Sequence, residues 1–456
     1  LNTTKATEIP NDPWYAEQWY LQAVKAPEAW QITKGDSNQV IGILDTGVDW
    51  LHPDLDDNIW TNQAEINGIE GVDDDGNGFI DDYRGWDFVN NDNDPKDDNS
   101  HGTHVAGIAA AEQNNGIGIT GVAPEARIMP VKLLQSSGRG NSTDLAAAID
   151  YASENGATVI NMSLGSYAES LVVKAALENA YVNSVLVAAA GNGGVKLLEE
   201  VCPVCGNHFP ACYTFVFGVQ ATNSANGLAS FSNWDVTGPI DYINPWGHNY
   251  ELRAPGVGIN SSIPGGNYRS YSGTSMAAPI VSGAVALHKT VHPDDYTDEI
   301  IAKQIFSADS NQQVLDIPEH INLDLSTVGP KLKYISHTLI DTLGDNDGRA
   351  DAGEIIELYF EVKNIAGYAD SCWAKIRLGE FEDPSTCEIL DSTNYLGNIS
   401  TWANQAGDGY LDSNPVKIQI SPDLAHDRDI VFVLEIGAKN WGTTIKNDFV
   451  INVENG

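Results

Sequence analysis

A nucleophile, a base and an acid stand at three points where the chain is about to turn. In Tyr271-Ser272-Gly273-Thr274-Ser275-Met276-Ala277-Ala278-Pro279 a glycine and small hydroxyl residues stop abruptly at an apolar run over residues 276–287. Ala and Val recur in that run at helical spacing, which predicts a tight turn opening a buried helix with Ser275 in its first turn. A hydroxyl there sits beside unpaired backbone N–H groups and the positive end of the helix dipole, a setting that suits a nucleophilic oxygen. By itself such a serine reads as a helix cap. Two stretches upstream change that reading. Val40-Ile41-Gly42-Ile43-Leu44-Asp45-Thr46-Gly47 is a short apolar run ending in an Asp and a glycine turn, the pattern of a buried strand delivering a carboxylate. Ser100-His101-Gly102-Thr103-His104-Val105-Ala106-Gly107 opens a second small-residue helix with a His in its first turn. A serine hydroxyl needs a general base, and the base needs a buried acceptor to hold its tautomer. Ser275, His101 and Asp45 supply all three.

The elements that must position them alternate along the chain. A turn at residues 11–14 precedes a short helix over 26–30. Strands are then expected over 40–44, 127–134, 158–162 and 185–189, with helices over 142–155 and 170–183. Such alternation means βαβ units and a doubly wound, mostly parallel sheet in an α/β domain. Open sheets of this kind carry their sites at the C-terminal ends of the strands. After residue 328 the texture changes. Over 354–364, Ile356, Leu358, Phe360 and Val362 alternate with Glu and Lys, and 416–420, 429–436 and 449–453 repeat the pattern. The chain therefore reads as an α/β catalytic domain, 1–328, joined near Gly329-Pro330 to an all-β sandwich, 329–456.

Together these stretches resemble the subtilisin-like serine proteases. Asp45-Thr46-Gly47, His101-Gly102-Thr103-His104, Asn161-Met162-Ser163-Leu164-Gly165 and Gly273-Thr274-Ser275-Met276-Ala277 all look like that family's motifs. Their order, Asp then His then Ser, is the one subtilisin itself carries. The resemblance covers residues 14–328. It implies hydrolysis of peptide bonds through an acyl-enzyme, with Ser275 as nucleophile, His101 as base and then acid, and Asp45 as its orienter. It also implies that Asn192, which follows Ala189-Ala190-Gly191, donates its side-chain N–H to the tetrahedral intermediate. Ser163, Leu164 and Gly165 resemble the extended segment that pairs with a bound peptide as an added strand. Gly165, Ala189, Ala190 and Gly191 resemble the walls of the primary specificity pocket, and walls so small imply room for a large apolar side chain. Pro210 matches a position where relatives carry a cis-proline. Relatives are made with an N-terminal propeptide that is cut away, so Leu1 reads as the processed start of a secreted zymogen product, with the propeptide as its inhibitor.

Calcium is the expected cofactor. It is held by hard oxygens that loops supply at alternate positions. Asp73, Asp75 and Asn77 take the first, third and fifth places of one loop, with Gly78 at the sixth and Phe79 after it, as in an EF-hand. The twelfth place is Arg84 rather than Glu, so Asp81 or Asp82 must close the site. Asp345, Asp347, Arg349, Asp351 and Glu354 repeat the idea further on. Resemblance to thermitase-like relatives implies two more sites. One is Asp12, Asp54, Asn115 and the carbonyls of Gln113, Ile117 and Ile119; the other is Asp87, Asp92 and the carbonyls of Asp94 and Lys96. From two to four calcium ions are expected.

Of five cysteines, Cys202, Cys205 and Cys212 lie in an insertion after Asn192, and Cys372 and Cys387 lie in the C-terminal region. In a secreted chain the default is disulfides, Cys372 with Cys387 and Cys202 with Cys212. Alternatively Cys202, Cys205, His208 and Cys212 hold zinc.

Lys plus Arg number 24 against 63 for Asp plus Glu, a net charge of −39. That argues against nucleic acid and anionic membrane as partners, and no apolar run reaches the ~18 residues of a membrane helix. The expected partners are protein and peptide substrates, and the chain is expected to be a monomer. Two other readings compete. A sandwich behind such a domain resembles the proprotein convertases, but those carry acidic residues where this chain has Ser163-Leu164-Gly165-Ser166-Tyr167. A calcium-binding adhesion or carbohydrate-binding protein with a vestigial protease fold is the second. The complete set Asp45, His101, Ser275 and Asn192 argues against it.

Overall fold

The computed structural model describes residues 9–196, 207–213, 215–234, 250, 252–295, 297–307, 314–325, 328, 332–341, 349–364, 369–379, 382–399, 415–424, 428–439 and 441–454. Two compact units divide the chain: residues 1–239 with 247–323, and 240–246 with 324–456.

A seven-stranded sheet runs through the first unit in the order β2-β3-β1-β4-β5-β6-β7. Its strands are β1 (Val40–Asp45), β2 (Trp86–Asp87), β3 (Arg127–Lys132), β4 (Val159–Met162), β5 (Val185–Ala189), β6 (Phe217–Thr222) and β7 (Leu252–Pro255). Every neighbouring pair is parallel. β1, β4, β5 and β6 are buried at each position, as strands covered on both faces must be. This is why they read as unbroken apolar runs. β1 lies between β3 and β4, so the strand order reverses there, and the crevice of such a sheet opens where it does. Asp45 is the last residue of that strand.

Helices α1 (Trp19–Ala23), α2 (Ala26–Ala29) and α3 (Gln63–Ile66) are short; α4 (His101–Ala110), α5 (Ser142–Glu154) and α6 (Leu171–Ala180) follow. A hairpin of β8 (Ile259–Ile263) and β9 (Asn267–Tyr271) leads into α7 (Thr274–Val291), and α8 (Thr297–Ser307) and α9 (Ile317–Asn322) end the unit. Almost every residue of α7 from Thr274 to His288 is buried, the mark of a helix inside a core rather than on it. No helix among the described residues is long and apolar enough to cross a membrane.

The second unit forms two sheets, β10-β12-β16-β14 and β11-β18-β17-β13-β15. The strands are β10 (Leu332–Ile340), β11 (Ala350–Asp351), β12 (Ile355–Asn364), β13 (Ala369–Leu378), β14 (Cys387–Asp391), β15 (Thr393–Ile399), β16 (Val416–Ile420), β17 (Arg428–Ala438) and β18 (Trp441–Glu454). Ile356, Leu358, Phe360 and Val362 of one sheet share a core with Ile430, Phe432, Leu434 and Ile436 of the other, so two half-buried faces pack as a sandwich. The structure corrects one expectation here. Cys372 and Cys387 are buried thiols, not a disulfide; they sit on strands of different sheets, an assignment their spacing does not reveal. Burial pushes the Cys387 pKa up to about 11. Cys212 is likewise a buried thiol, while Cys202, Cys205, Gly329 and Pro330 lie outside the described residues.

Candidate active site

Asp45 ends β1 with no exposed surface, and its Oδ1 stands 2.7 Å from His101 Nδ1. The same oxygen accepts the Thr46 N–H at 2.7 Å. Two glycines permit this approach. A Cβ on Gly102 would stand 2.0 Å from the Gly47 carbonyl oxygen and 3.1 Å from the Asp45 Cβ, so α4 can lie on the β1 turn only without a side chain there. Gly47 itself turns at φ +98° with the Pro95 carbonyl 2.5 Å from its missing Cβ. Behind the pair lies Asp97, which sequence reasoning missed. Its Oδ1 accepts from Thr46 Oγ1 at 2.8 Å and from Ser100 N–H at 2.9 Å, and its Oδ2 accepts from Thr103 N–H at 2.9 Å. One carboxylate thus caps α4 and ties it to the β1 turn.

Burial alone would lower the His101 pKa, but the charge and hydrogen bond of Asp45, with the Asp97 charge behind, hold it above the ordinary 6.5. Because Asp45 accepts a hydrogen bond from Nδ1–H, Nε2 of the neutral ring is the acceptor. His104, the second histidine of the motif, has its Nε2 2.9 Å from the Arg269 carbonyl and stacks on Tyr271. Burial pushes its pKa down to about 4, so it stays neutral.

Ser275 lies in the first turn of α7, and Pro279 decides its surroundings. Proline has no N–H, so the carbonyl four residues earlier, that of Ser275, loses its helical donor. The Ser163 hydroxyl fills the gap at 2.8 Å, and the Ser275 hydroxyl donates to the Ser163 carbonyl at 3.1 Å. Ser163 Oγ also accepts from Asn161 Nδ2 at 3.0 Å, and Asn161 Oδ1 accepts from Ser282 Oγ at 2.9 Å. The Ser275 hydroxyl is thus turned to Ser163 rather than to the imidazole. Asn192 Oδ1 accepts from Thr274 N–H at 2.9 Å and Thr274 Oγ1 at 3.0 Å, which leaves its amide N–H groups as donors. A Cβ on Gly273 would lie 3.5 Å from Asn192 Nδ2 and 3.7 Å from the Ser275 nitrogen. Two donors therefore flank one open spot beside the serine, an arrangement able to hold a developing oxyanion.

Ser163, Leu164 and Gly165 line a cleft of about 660 Å³ together with His101. Its apolar wall is Leu133, Leu134, Leu145, Val173, Phe209 and Tyr213, none of which sequence reasoning singled out. Ala189 ends β5, and Ala190 and Gly191 follow it, apart from that cleft. The room expected between them and Gly165 is taken: a Cβ on Gly165 would stand 2.3 Å from His208 Cε1, and one on Gly191 2.9 Å from His208 Cγ. The His208 ring thus stands against both Gly165 and Gly191. The Phe209–Pro210 bond that follows is cis.

The expected calcium ligands fare unequally. Asp12 and Asp54 are buried, and Asp12 Oδ1 has no hydrogen-bond donor among the described residues. Asp54 accepts from Asn115 Nδ2 at 3.0 Å and from Ile119 N–H at 2.9 Å, and Asn115 Oδ1 accepts from Ile117 N–H at 2.8 Å. The segment from Gln113 to Ile119 thus meets both acids, with Asp12 taking the Asn114 N–H at 3.1 Å. Burial raises the Asp12 pKa and pushes Asp54 up to about 6, the Asp12 charge adding to the latter. Two buried acids with an orphaned oxygen fit a hard divalent cation.

In the EF-hand-like loop, Asp73 accepts backbone N–H groups of Gly76 and Gly78, and Asn77 Oδ1 accepts from Phe79 N–H. Asp82 rather than Asp81 stands beside Asp75, and a third carboxylate reaches them from elsewhere. Carboxylate oxygens of Glu65, Asp75 and Asp82 lie within 4.8 Å of one another; Glu65 comes from α3 and was not foreseen. Burial pushes the Asp82 pKa up to about 6, with Asp75 adding. This set fits calcium too. Asp87 and Asp92 pair through their backbones at 2.9 and 3.1 Å, but both Asp87 oxygens are taken by Val89 and Asn90 donors, and Asp92, Asp94 and Lys96 are exposed. Asp345 and Asp347 lie outside the described residues. Of their partners, Arg349 precedes β11, and Asp351 N–H donates to Glu354 Oε2 at 3.1 Å.

Comparison with known proteins bears on this geometry. Residues 36–320 match the profile of the Subtilase family. The chain is 42% identical over 284 residues to a thermophilic serine proteinase of Bacillus sp. (strain AK1), which covers 62% of this chain and 60% of that protein. It is 39% identical over 280 residues to thermitase of Thermoactinomyces vulgaris, 61% of this chain and 84% of thermitase. It is 35% identical over 305 residues to the halolysin-like extracellular serine protease Nep of Natrialba magadii, 65% of this chain and 48% of that protein. The chain thus spans less than two thirds of the first and of the third.

Proposed function

This chain belongs to the subtilase family, and from that premise we propose that it is a secreted, calcium-stabilised serine endopeptidase. It cuts protein and peptide substrates through an acyl-enzyme. The observation that carries this reading is the buried Asp45 carboxylate 2.7 Å from His101 Nδ1 at the edge of a cleft walled by Ser163, Leu164 and Gly165.

In this reading a substrate strand lies along 163–165, pairing backbone to backbone. Ser275 Oγ forms a bond to the scissile carbonyl carbon while its proton passes to His101 Nε2. Asp45 holds the ring and stabilises the imidazolium without itself taking the proton. The new oxyanion accepts from Asn192 Nδ2 and the Ser275 N–H. His101 then protonates the leaving nitrogen, the C–N bond breaks, and water repeats the sequence on the ester. The apolar wall of the cleft suits extended chains of broad sequence.

Asp12, Asp54 and Asn115 would hold one calcium ion, and Glu65, Asp75 and Asp82 another; bound there, the ion neutralises buried carboxylates and pins loops. Residues 1–328 carry the activity of a monomeric protein, residues 329–456 form its separate sandwich, and a propeptide inhibits it before release. A serine-directed fluorophosphonate should label the wild type at Ser275, and Ser275→Ala should lose both labelling and peptide hydrolysis while melting as before. A wild type that neither reacts nor cleaves casein would sink the reading.

A further inference from the structure

We propose that His208 sets the primary specificity of this chain by filling the gap between the two glycine walls, so that the residue on the acyl side of the cut bond carries a small side chain rather than an aromatic or long aliphatic one. The inference rests on the peptidase reading above. Both walls are bare where they face the ring. The missing Cβ of Gly165 would come 2.3 Å from His208 Cε1 and 2.7 Å from Nδ1, and that of Gly191 2.9 Å from Cγ and 3.0 Å from Cδ2. The imidazole therefore stands against both walls with opposite edges, in the place a second ring would have to enter.

Three contacts keep it there. Nδ1 is 3.1 Å from the Ala189 carbonyl, which can only accept, so Nδ1 carries the hydrogen. Tyr167 stands edge-on with ring centroids 5.1 Å apart. The backbone on either side is strapped to the wall segment by a two-way pair, Ser166 N–H to Phe209 O at 2.9 Å and Phe209 N–H to Ser166 O at 2.8 Å. Swinging the ring out to admit a bulky side chain would break the first two contacts and strain the third. Burial lowers the His208 pKa below its ordinary value, so the ring is neutral at neutral pH. With its hydrogen on Nδ1, Nε2 is left as an acceptor with no partner among the described residues. Ser or Thr at the cut site can donate to it; Phe and Leu cannot.

The test uses the whole chain and peptide anilides that differ only in the acyl-side residue: Ala, Ser, Phe or Leu. The wild type should favour Ala and Ser over Phe and Leu by about tenfold or more in kcat/KM, the scale on which pockets discriminate surplus volume. His208→Gly should raise the Phe-to-Ala ratio by about tenfold or more, with His208→Ala in its place should the glycine variant not fold. A wild type that favours Phe or Leu overturns the inference without any variant, and so does an active variant whose ratio is unchanged. Diisopropyl fluorophosphate, which offers no side chain to the pocket, separates the two readings. Failure to label Ser275 removes the peptidase and this inference with it. Labelling combined with the wrong ranking removes the role of His208 alone.

Discussion

At the scale of single residues, the proposed mechanism makes the charge of Asp45 set the working pH. Its contact holds the His101 pKa above 6.5 against the opposing pull of burial, and only the neutral ring can take the serine proton. Activity should therefore fall as pH drops through a value above 6.5. Asp45→Asn removes the charge and favours the wrong tautomer. A kcat lower by about 10⁴ is expected, with the acid limb of the pH–rate profile moved to lower pH; a limb that stays in place would contradict the assignment. Asn192 is fixed by Thr274 with its N–H groups outward. Loss of the corresponding donor in subtilisin itself costs about 10²–10³ in kcat, and Asn192→Ala should cost as much here while leaving KM for a short peptide nearly unchanged.

Between elements, the link that matters joins α7 to the end of β4. Pro279 strips the Ser275 carbonyl of its helical donor, and Ser163 supplies another. Ser163→Ala leaves that carbonyl, which the helix cannot satisfy, without a donor, at a cost of about 1–3 kcal/mol. Adding Pro279→Ala restores an N–H at the position the helix requires, so the double variant should be more stable than Ser163→Ala alone. Urea unfolding of phosphonate-blocked protein, in which self-digestion is absent, measures both. A double variant no more stable than the single one would mean that the proline is not the cause. The α3–loop link makes a parallel case: Glu65 reaches from a helix into the Asp75–Asp82 loop. Glu65→Gln should weaken calcium binding at that loop and leave the Asp12–Asp54 site unchanged, as titration calorimetry would resolve.

For the molecule as a whole, a net charge of −39 works against the compact state through self-repulsion, so bound cations would be a large part of its stability. An ion held only by the folded chain at 1,000 times its Kd adds about 4 kcal/mol. The pH dependence has a definite sign. Asp54 and Asp82 have folded pKa values of about 6 in the absence of metal, above the ordinary 3.8, so the metal-free protein holds their protons longer than the unfolded chain does and loses stability as pH rises through that range. Calcium needs the same groups deprotonated. Buried His288 and His320, whose pKa values are lowered by burial, withdraw stability as pH falls below 6.5, but they do so with or without calcium and cancel in the difference. The rise in Tm on going from chelator to millimolar calcium should therefore be larger at pH 7 than at pH 5. Equal rises at both would refute the placement of calcium on these acids.

The amino-acid pattern alone determined whatever depends on neighbours along the chain. Asp45 at the end of an apolar run, His101 and Ser275 at helix starts, the strands flanking them and the alternation of Ile356 to Val362 were all legible, because burial on one face or both leaves a period in the sequence. The glycines at 47 and 102 were visible as motif letters, but their cause was not. It is the 2.0 Å that would separate a Cβ on Gly102 from the Gly47 carbonyl across 54 intervening positions. The same holds for Asp97 behind the base, Glu65 in the acidic loop, the wall of Leu133, Leu145, Val173 and Tyr213, and above all His208. Each acts on residues brought near it by strand order and helix packing, and long-range contact of that kind carries no local period. Small residues at 165 and 189–191 promised an open pocket; the His208 ring that stands against Gly165 and Gly191 came from a part of the chain that only the fold placed there.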